Sequence, residues 1–137
     1  MESVSTRPII LYAEDDHDDF ESIKEALDQI SKNFIILNAS NGSEAVSYLE
    51  NNPEALPQLV VLDLNMPVMD GKEVLEWMKQ KEKFRNIPIM VFTTSSRADD
   101  VKLCLKHDCT FFRKPTLYRD LLHIAQTMLH ICDQHKV

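Results

Sequence analysis

Glycine, cysteine and long apolar runs are all scarce in this chain, and each scarcity excludes a class of protein. Only 2 of the 137 residues are glycine and 6 are proline, which excludes a collagen-like or flexible low-complexity chain. The cysteines, Cys104, Cys109 and Cys132, are odd in number and irregularly spaced, which fits reduced, mostly buried thiols better than a disulfide framework. No apolar run approaches the roughly 20 residues that span a bilayer, and the N-terminus lacks the apolar core of a signal peptide. We therefore expect a cytoplasmic protein that does not insert into membranes.

Basic residues are also in deficit. The 15 Lys and Arg against 22 Asp and Glu give a net charge of −7, which is the wrong sign for direct binding to a nucleic-acid backbone. The 44% hydrophobic and 27% charged content is ordinary for a globular protein. At about 150 residues per domain, the length suits a single domain. We expect that domain at residues 8–133, between a flexible segment at 1–7 and a tail at 134–137, with no attached output domain.

Five short apolar runs alternate with stretches of helical spacing. Each run is bounded by polar turns, and several are apolar at every position, as in strands covered on both faces of a sheet. Five strand-then-helix repeats predict an α/β fold: a doubly wound, flavodoxin-like parallel sheet of strand order 2-1-3-4-5 with helices on both faces. The predicted strands are Ile9 to Ala13, Phe34 to Leu37, Leu59 to Leu62, Ile89 to Phe92 and Thr110 to Arg113.

Polar side chains mark where the first three helices begin. Asp16 can cap the first helix, with Asp19 at the third position after it, while Asn41-Gly42 turns into the second helix and Asp70-Gly71 into the third. In the fourth helix, the three- and four-residue spacing predicts that Cys104 and Leu105 lie on the buried face.

The last predicted helix, from about Leu117 to Cys132, carries more apolar residues than one sheet face needs. Apolar residues flank its core stripe, so the apolar arc covers roughly half of the circumference. The helix either lies wedged between the sheet and a neighbouring helix or forms a surface for a homodimer or another partner. The expected core stripe is Leu121, Ala125, Met128 and Cys132.

Chemically distinctive residues follow the predicted strands. Glu14 and Asp15 follow the first strand, Asp63 the third, Thr93 the fourth and Lys114 the fifth. In an open parallel sheet ligands collect at these carboxyl ends, and the order 2-1-3-4-5 places the first strand beside the third. The three acids would then raise one another's pKa unless a cation compensates. An all-oxygen set of ligands suits Mg²⁺ better than Zn²⁺.

This set of residues suits phosphoryl transfer. Asp63 would be the nucleophile that forms an acyl phosphate, while Mg²⁺, Lys114 and the Thr93 hydroxyl would each take one phosphoryl oxygen. No strong general base is obviously placed to hydrolyse the intermediate, so a phosphorylated Asp63 could persist as a signal. We therefore expect a phosphoacceptor and not a turnover enzyme.

Four segments in order resemble the receiver domain of bacterial two-component response regulators, over about Pro8 to Cys132. They are Ile-Leu-Tyr-Ala-Glu14-Asp15-Asp16, the segment Leu-Val-Val-Leu-Asp63 to Gly71, Phe92-Thr93-Thr94, and Lys114-Pro115. The resemblance implies that Asp15 and Asp63 bind Mg²⁺ directly, Glu14 binds it through water and the Asn65 main-chain carbonyl adds a ligand. It also implies that Lys114 binds the phosphate and that the Lys114–Pro115 peptide is cis.

The resemblance further implies a switch. In the family, a threonine hydroxyl moves toward the phosphate and vacates space for an aromatic residue on the fifth strand; these match Thr93 and Phe111. Phe111 could equally be a plain core residue, because it has no hydroxyl that an outward position would hydrate. His107-Asp108-Cys109 replaces the family's usual Gly-Ala turn, which would place a positive φ on His107 or Asp108.

The favoured function is a stand-alone response regulator that accepts a phosphoryl group on Asp63 from a sensor histidine kinase or a phosphotransfer protein and signals by contact with an unknown protein. Two alternatives stay open. One is a receiver-shaped adaptor that never accepts phosphate. The other is an aspartyl-nucleophile phosphatase of the haloacid dehalogenase type, although in that superfamily the nucleophile follows the first strand and a second aspartate stands where this chain has Asn65.

Overall fold

Helices and strands alternate strictly along the chain. The computed structural model describes residues 7–95 and 97–135. Most of the predicted segments at 1–7 and 134–137 therefore lies outside the described residues, although Gln134 still belongs to the last helix. The elements are β1 (Ile9–Ala13), α1 (His17–Ile30), β2 (Ile35–Ala39), α2 (Gly42–Asn51), β3 (Leu59–Leu62), α3 (Gly71–Lys79), β4 (Ile89–Thr93), α4 (Ala98–Lys106), β5 (Thr110–Arg113) and α5 (Tyr118–Gln134).

The strands form one parallel sheet of order β2-β1-β3-β4-β5, which confirms the predicted fold class. β1, β3 and β5 have the predicted bounds. β2 is shifted because it pairs residue for residue with β1, from Ile9 opposite Ile35 to Ala13 opposite Ala39, and this register leaves Phe34 outside the strand. The prediction ended this strand at Leu37 because the next residue, Asn38, is polar, whereas β2 continues to Ala39. The exposed side-chain amide of Asn38 donates to the backbone oxygen of Tyr12 in β1 and to that of Glu14 just after β1.

Two apolar layers cover the two faces of the sheet. On one face α1 and α5 pack against β1, β3 and β4. On the other face α2, α3 and α4 pack against the same strands. The three central strands are thus buried on both sides, as their unbroken apolar sequences predicted.

The helix starts confirm the predicted cap at Asp16 and the predicted turns at Asn41-Gly42 and Asp70-Gly71, and they position the loops at the carboxyl edge of the sheet. The side chains of Asp16, Asn41 and Asp70 each accept a hydrogen bond from a backbone N–H in the first turn of the helix that follows. Gly71, the first residue of α3, lies so close to Asp63 that a Cβ atom there would collide with the Asp63 backbone carbonyl. The missing side chain therefore allows α3 to begin directly against the end of β3.

The last helix corrects the predicted core stripe. α5 packs against both the sheet and α1, and its fully buried residues are Ile124, Ala125, Met128 and Cys132, with Leu121 only half-buried. The buried face of α5 differs from the predicted one because the helix packs against the sheet and α1 at the same time. This packing favours the wedged interpretation, and a homodimer through α5 stays a prediction.

The fourth helix buries Cys104, as predicted, but Leu105 is exposed. Among the described residues, no helix combines the length and the apolar character needed to cross a membrane.

Candidate functional site

Three carboxylates meet at the carboxyl ends of β1 and β3. Glu14 and Asp63 are buried, and Asp15 is exposed. One ligand oxygen from each of the three can be chosen so that all lie within 4.8 Å of one another. The structure therefore brings together the acids that the strand order predicted would meet.

Glu14 is the most enclosed of the three. One carboxylate oxygen accepts hydrogen bonds from the Tyr12 hydroxyl (2.9 Å) and the Lys114 ammonium (2.6 Å), and the other accepts from the Asp16 backbone N–H (3.2 Å). Burial raises the pKa of Glu14 to about 7, and the charge of Asp63 adds to the rise, although Lys114 opposes it. Full ionisation of this cluster therefore requires more positive charge than Lys114 alone supplies.

Lys114 connects three separate elements through one ammonium group. Its Nζ donates to Glu14 at the end of β1, to Asp19 in α1 (2.7 Å) and to Asp63 at the end of β3 (3.1 Å). Burial would lower the pKa of Lys114, but the hydrogen bonds to Asp19 and Glu14 outweigh it, so the pKa is raised. The lysine is thus a fixed cation at the centre of the acids.

Asp19 was not predicted as a site residue. The sequence showed it only as the third residue after the Asp16 cap, and its backbone N–H does make the capping bond (3.1 Å). Its side chain turns instead toward Lys114. Because α1 directly follows β1, its first turn lies near the carboxyl ends of the strands. This position in the chain was the signal that could have identified Asp19 as a site residue.

Thr93 and Asn65 connect to Asp63 on its other side. The second carboxylate oxygen of Asp63 accepts the Asn65 backbone N–H (3.1 Å). The Asn65 side-chain amide donates to the hydroxyl oxygen of Thr93 (3.4 Å), which also accepts the Ser95 backbone N–H (3.4 Å). Thr93 is fully buried. Asn65 therefore connects the Thr93 hydroxyl to the Asp63 carboxylate through one hydrogen bond to each.

β5 positions Lys114 and Phe111. The Lys114 backbone N–H donates to the Thr93 carbonyl (2.8 Å), which continues the pairing of β4 with β5. The expected cis peptide between Lys114 and Pro115 is wrong: there is no cis bond among the described residues, and trans is the intrinsically favoured form. Phe111 is half-buried and packs against the core layer beneath α4. Both interpretations of Phe111, as a switch and as a core residue, stay open.

Among the residues that the structure describes, two other than glycine have a left-handed backbone. Asp108, in the turn between α4 and β5, has φ 56°, which confirms the predicted positive φ. Val68 has φ 70° and is 81% exposed. It lies in the loop that joins Asp63 to α3, and its left-handed conformation was not predicted.

Asp100 is a buried acid that sequence reasoning also missed. It is 4% exposed, forms an ion pair with Lys72 of α3 (3.2 Å) and accepts a hydrogen bond from the Ser95 hydroxyl (3.1 Å). It thereby ties α4 to α3 and to the loop that follows Thr93. The Ser95 hydroxyl is directed to Asp100.

The acids fit a hard divalent cation. Glu14, Asp15 and Asp63 offer only carboxylate oxygens, the donors that Mg²⁺ and similar ions prefer. The raised pKa of the buried Glu14 also indicates a deficit of positive charge at this place.

Comparisons with known proteins agree with this geometry. A family model described as the response regulator receiver domain matches residues 10–126. Response regulator Rcp1 of Synechocystis sp. is 33% identical over 125 residues, which cover 86% of this chain and 84% of Rcp1. The solved Mn(2+)-bound form of Rcp1 has a TM-score of 0.78 at 30% identity, over 88% of this chain and 91% of that one.

A second solved structure is the phosphorylated cyanobacterial phytochrome response regulator RcpA. It has a TM-score of 0.83 at 27% identity and covers 96% of this chain and 97% of that one. The chain belongs to the response regulator receiver domain family.

Proposed function

We propose that this chain is a stand-alone receiver that accepts a phosphoryl group on Asp63 from a phosphohistidine of a sensor histidine kinase or a phosphotransfer protein, and that it signals by protein contact. The observation that carries the proposal is the arrangement around Asp63. One of its oxygens is held by the Lys114 ammonium and the other by the Asn65 backbone N–H. A cation and a hydrogen-bond donor are the groups that neutralise phosphoryl oxygens during transfer.

Mg²⁺ would be held by Glu14, Asp15, Asp63 and the backbone carbonyl of Asn65. When bound, the cation would neutralise part of the charge of the acids and of the arriving phosphoryl group. The Mn(2+)-bound form of Rcp1 supports a divalent cation in a relative. The preference for Mg²⁺ rests on the all-oxygen donor set.

The transfer step needs little covalent chemistry from the protein. A carboxylate oxygen of Asp63 attacks the phosphorus, the new P–O bond forms as the P–N bond to the histidine breaks, and the histidine nitrogen leaves with the electron pair and takes up a proton. Lys114 exchanges its hydrogen bond to Asp63 for one to a phosphoryl oxygen. The Thr93 hydroxyl, one residue away through Asn65, moves to another phosphoryl oxygen.

The Ser95 hydroxyl, two residues after Thr93, donates to Asp100 and is not a strong base that would hydrolyse an acyl phosphate on Asp63. The phosphorylated form of RcpA supports a phosphoprotein in a relative. A sensor kinase as donor would also place the chain in the cytoplasm.

The test is labelling of the purified chain with acetyl phosphate, with and without Mg²⁺, followed by mass spectrometry of the intact protein. We expect one phosphoryl group in the presence of Mg²⁺, its loss in Asp63→Asn and its retention in the matched control Asp99→Asn, an exposed acid of α4. Absence of labelling at millimolar Mg²⁺ would favour the adaptor. Continuous release of phosphate from many equivalents of substrate would favour the phosphatase.

A further inference from the structure

The end of α4 brings two of the three cysteines together. The Asp108 backbone N–H donates to the Leu105 carbonyl (3.2 Å) and the Cys109 backbone N–H donates to the Cys104 carbonyl (2.9 Å), with Asp108 in the left-handed conformation. These two bonds define the Schellman motif, which is frequently accompanied by a contact between the side chains at its two ends. In most helices that contact is apolar. Here both side chains are thiols.

The backbone geometry permits a covalent bond between them. Standard bond lengths and the 2.9 Å hydrogen bond limit the separation of the Cys104 and Cys109 α carbons to about 6.8 Å. Native disulfides usually join α carbons about 4.4–6.8 Å apart. A bond between the two sulfurs would therefore close the turn without unfolding it.

The two thiols differ in access and in acidity. Cys104 is 1% exposed, whereas Cys109 is half-buried. The Cys109 thiol donates to the His107 carbonyl (3.7 Å), and donation from the Cys104 thiol to the Cys109 sulfur, together with burial, raises the pKa of Cys104. The same hydrogen bond lowers the pKa of Cys109, and Lys79 contributes to the fall, although burial and Asp108 oppose it. Cys109 is thus the thiol that meets a reagent first, with Cys104 directly behind it.

We propose that Cys104 and Cys109 form a redox-active dithiol that a small organic disulfide oxidises to an intramolecular disulfide. The Cys109 thiolate attacks one sulfur of the reagent, forms a mixed disulfide and expels the first thiolate. Cys104 then gives up its proton and attacks the Cys109 sulfur, which expels the second thiolate. In total the two cysteines lose two electrons and two protons, and the reagent is reduced to two thiols.

The position of this bond is separate from the phosphoacceptor site. Cys109 directly precedes β5, and Phe111 lies two residues further on. The bond would tie the last turn of α4 to the start of β5. The proposal is independent of phosphorylation, so it can fail or succeed whatever happens at Asp63.

The test treats the fully reduced chain with oxidised glutathione under native conditions, then counts free thiols and measures the intact mass. We expect the wild type to lose two of its three thiols, and its intact mass should show no glutathione attached to the protein. Cys109→Ala should lose neither of its two thiols, and Cys104→Ala should retain one glutathione on Cys109. Cys132→Ala is the matched control and should oxidise as the wild type does. Burial in α5 raises the pKa of Cys132 to about 12, so this thiol should not react.

Peptide mapping of the oxidised wild type without reductant gives a result that does not depend on any variant. A peptide pair or loop joined at Cys104 and Cys109 is expected, and dithiothreitol should restore all three thiols. A stable glutathione adduct in the wild type, a bond that involves Cys132, or three unreacted thiols would each overturn the proposal.

Discussion

At the scale of single residues, Lys114 determines how much negative charge the acidic cluster can hold. It is 12% exposed and supplies one ammonium to three carboxylates. Removing one member of a buried ion pair leaves its partners without compensation, which is more costly than never having the pair. The lysine therefore contributes to stability before any phosphate arrives.

We expect Lys114→Ala to lower the free energy of unfolding of the metal-free protein by about 3 kcal/mol, because Glu14 and Asp63 lose their counterion. Added Mg²⁺ should stabilise this variant more than the wild type, since the ammonium no longer competes for the same oxygens. Urea unfolding with EDTA and with Mg²⁺ measures both effects. Lys24→Ala, an exposed lysine of α1, is the control. Equal losses in the two variants would contradict the assigned role.

Val68 is strained by its backbone. A left-handed conformation costs an ordinary residue roughly 1–2 kcal/mol, and asparagine tolerates it better than a β-branched residue. Because the side chain is 81% exposed, its replacement removes little packing. Val68→Asn should raise the free energy of unfolding by roughly 1 kcal/mol in denaturant titrations, and Val68→Ala, which has no side-chain amide to hydrogen-bond to the nearby backbone, should gain less. A loss of stability in Val68→Asn would show that Val68 makes a contact worth more than the strain.

Individual residues also show where sequence reasoning succeeded and where it failed. The meeting of five side chains at one edge was predictable, because each stands at or just after the end of a strand and parallel strands bring their ends to one edge. The five are Glu14, Asp15, Asp63, Thr93 and Lys114. Asp19 and Asp100 were not predictable, because each lies in the first turn of a helix and resembles an ordinary first-turn acid. Their partners, Lys114 and Lys72, lie far away in sequence and become neighbours only when the helices pack.

At the scale of elements, Asp100 ties α4 to α3 and to the loop after β4. We expect Asp100→Asn to lower the free energy of unfolding by about 2 kcal/mol, because Lys72 loses its charged partner and hydrogen bonds to charged groups contribute about 1.5–3 kcal/mol. Chemical denaturation monitored by circular dichroism measures the change. Asp99→Asn, the exposed neighbour, should change stability much less. If both variants behave alike, the ion pair does not stabilise this corner.

The elements themselves were largely predictable. Short runs of four or five residues, apolar in β1 and β3 and aromatic at the centre of β5, predicted these strands, and polar residues before the helical stretches predicted the starts of α1, α2 and α3. The errors in β2 and α5 have one cause: an edge strand and a helix between two neighbours take their bounds and buried face from what they pack against. The spacing of apolar residues alone placed Leu105 on the buried face of α4, but its side chain is exposed to solvent.

At the scale of the whole molecule, metal binding should appear as global stability. A ligand at 100 times its dissociation constant that binds only the folded state adds about 2.7 kcal/mol, which raises the melting temperature by several degrees for a domain of this size. Calorimetry with EDTA and with excess Mg²⁺ measures the shift. Asp63→Asn should reduce it strongly, whereas Asp99→Asn should retain it. No shift at millimolar Mg²⁺ would count against the metal site.

The order of the strands also limits how this molecule can associate. Its two borders are β2 and β5, of five and four residues, and β5 ends in the exposed Arg113. Short border strands and a terminal cation discourage another chain from extending the sheet by backbone pairing. Recruitment of a target should therefore depend on side-chain complementarity at helical surfaces, which evolution can retune without disturbing the hydrogen-bonded sheet beneath them.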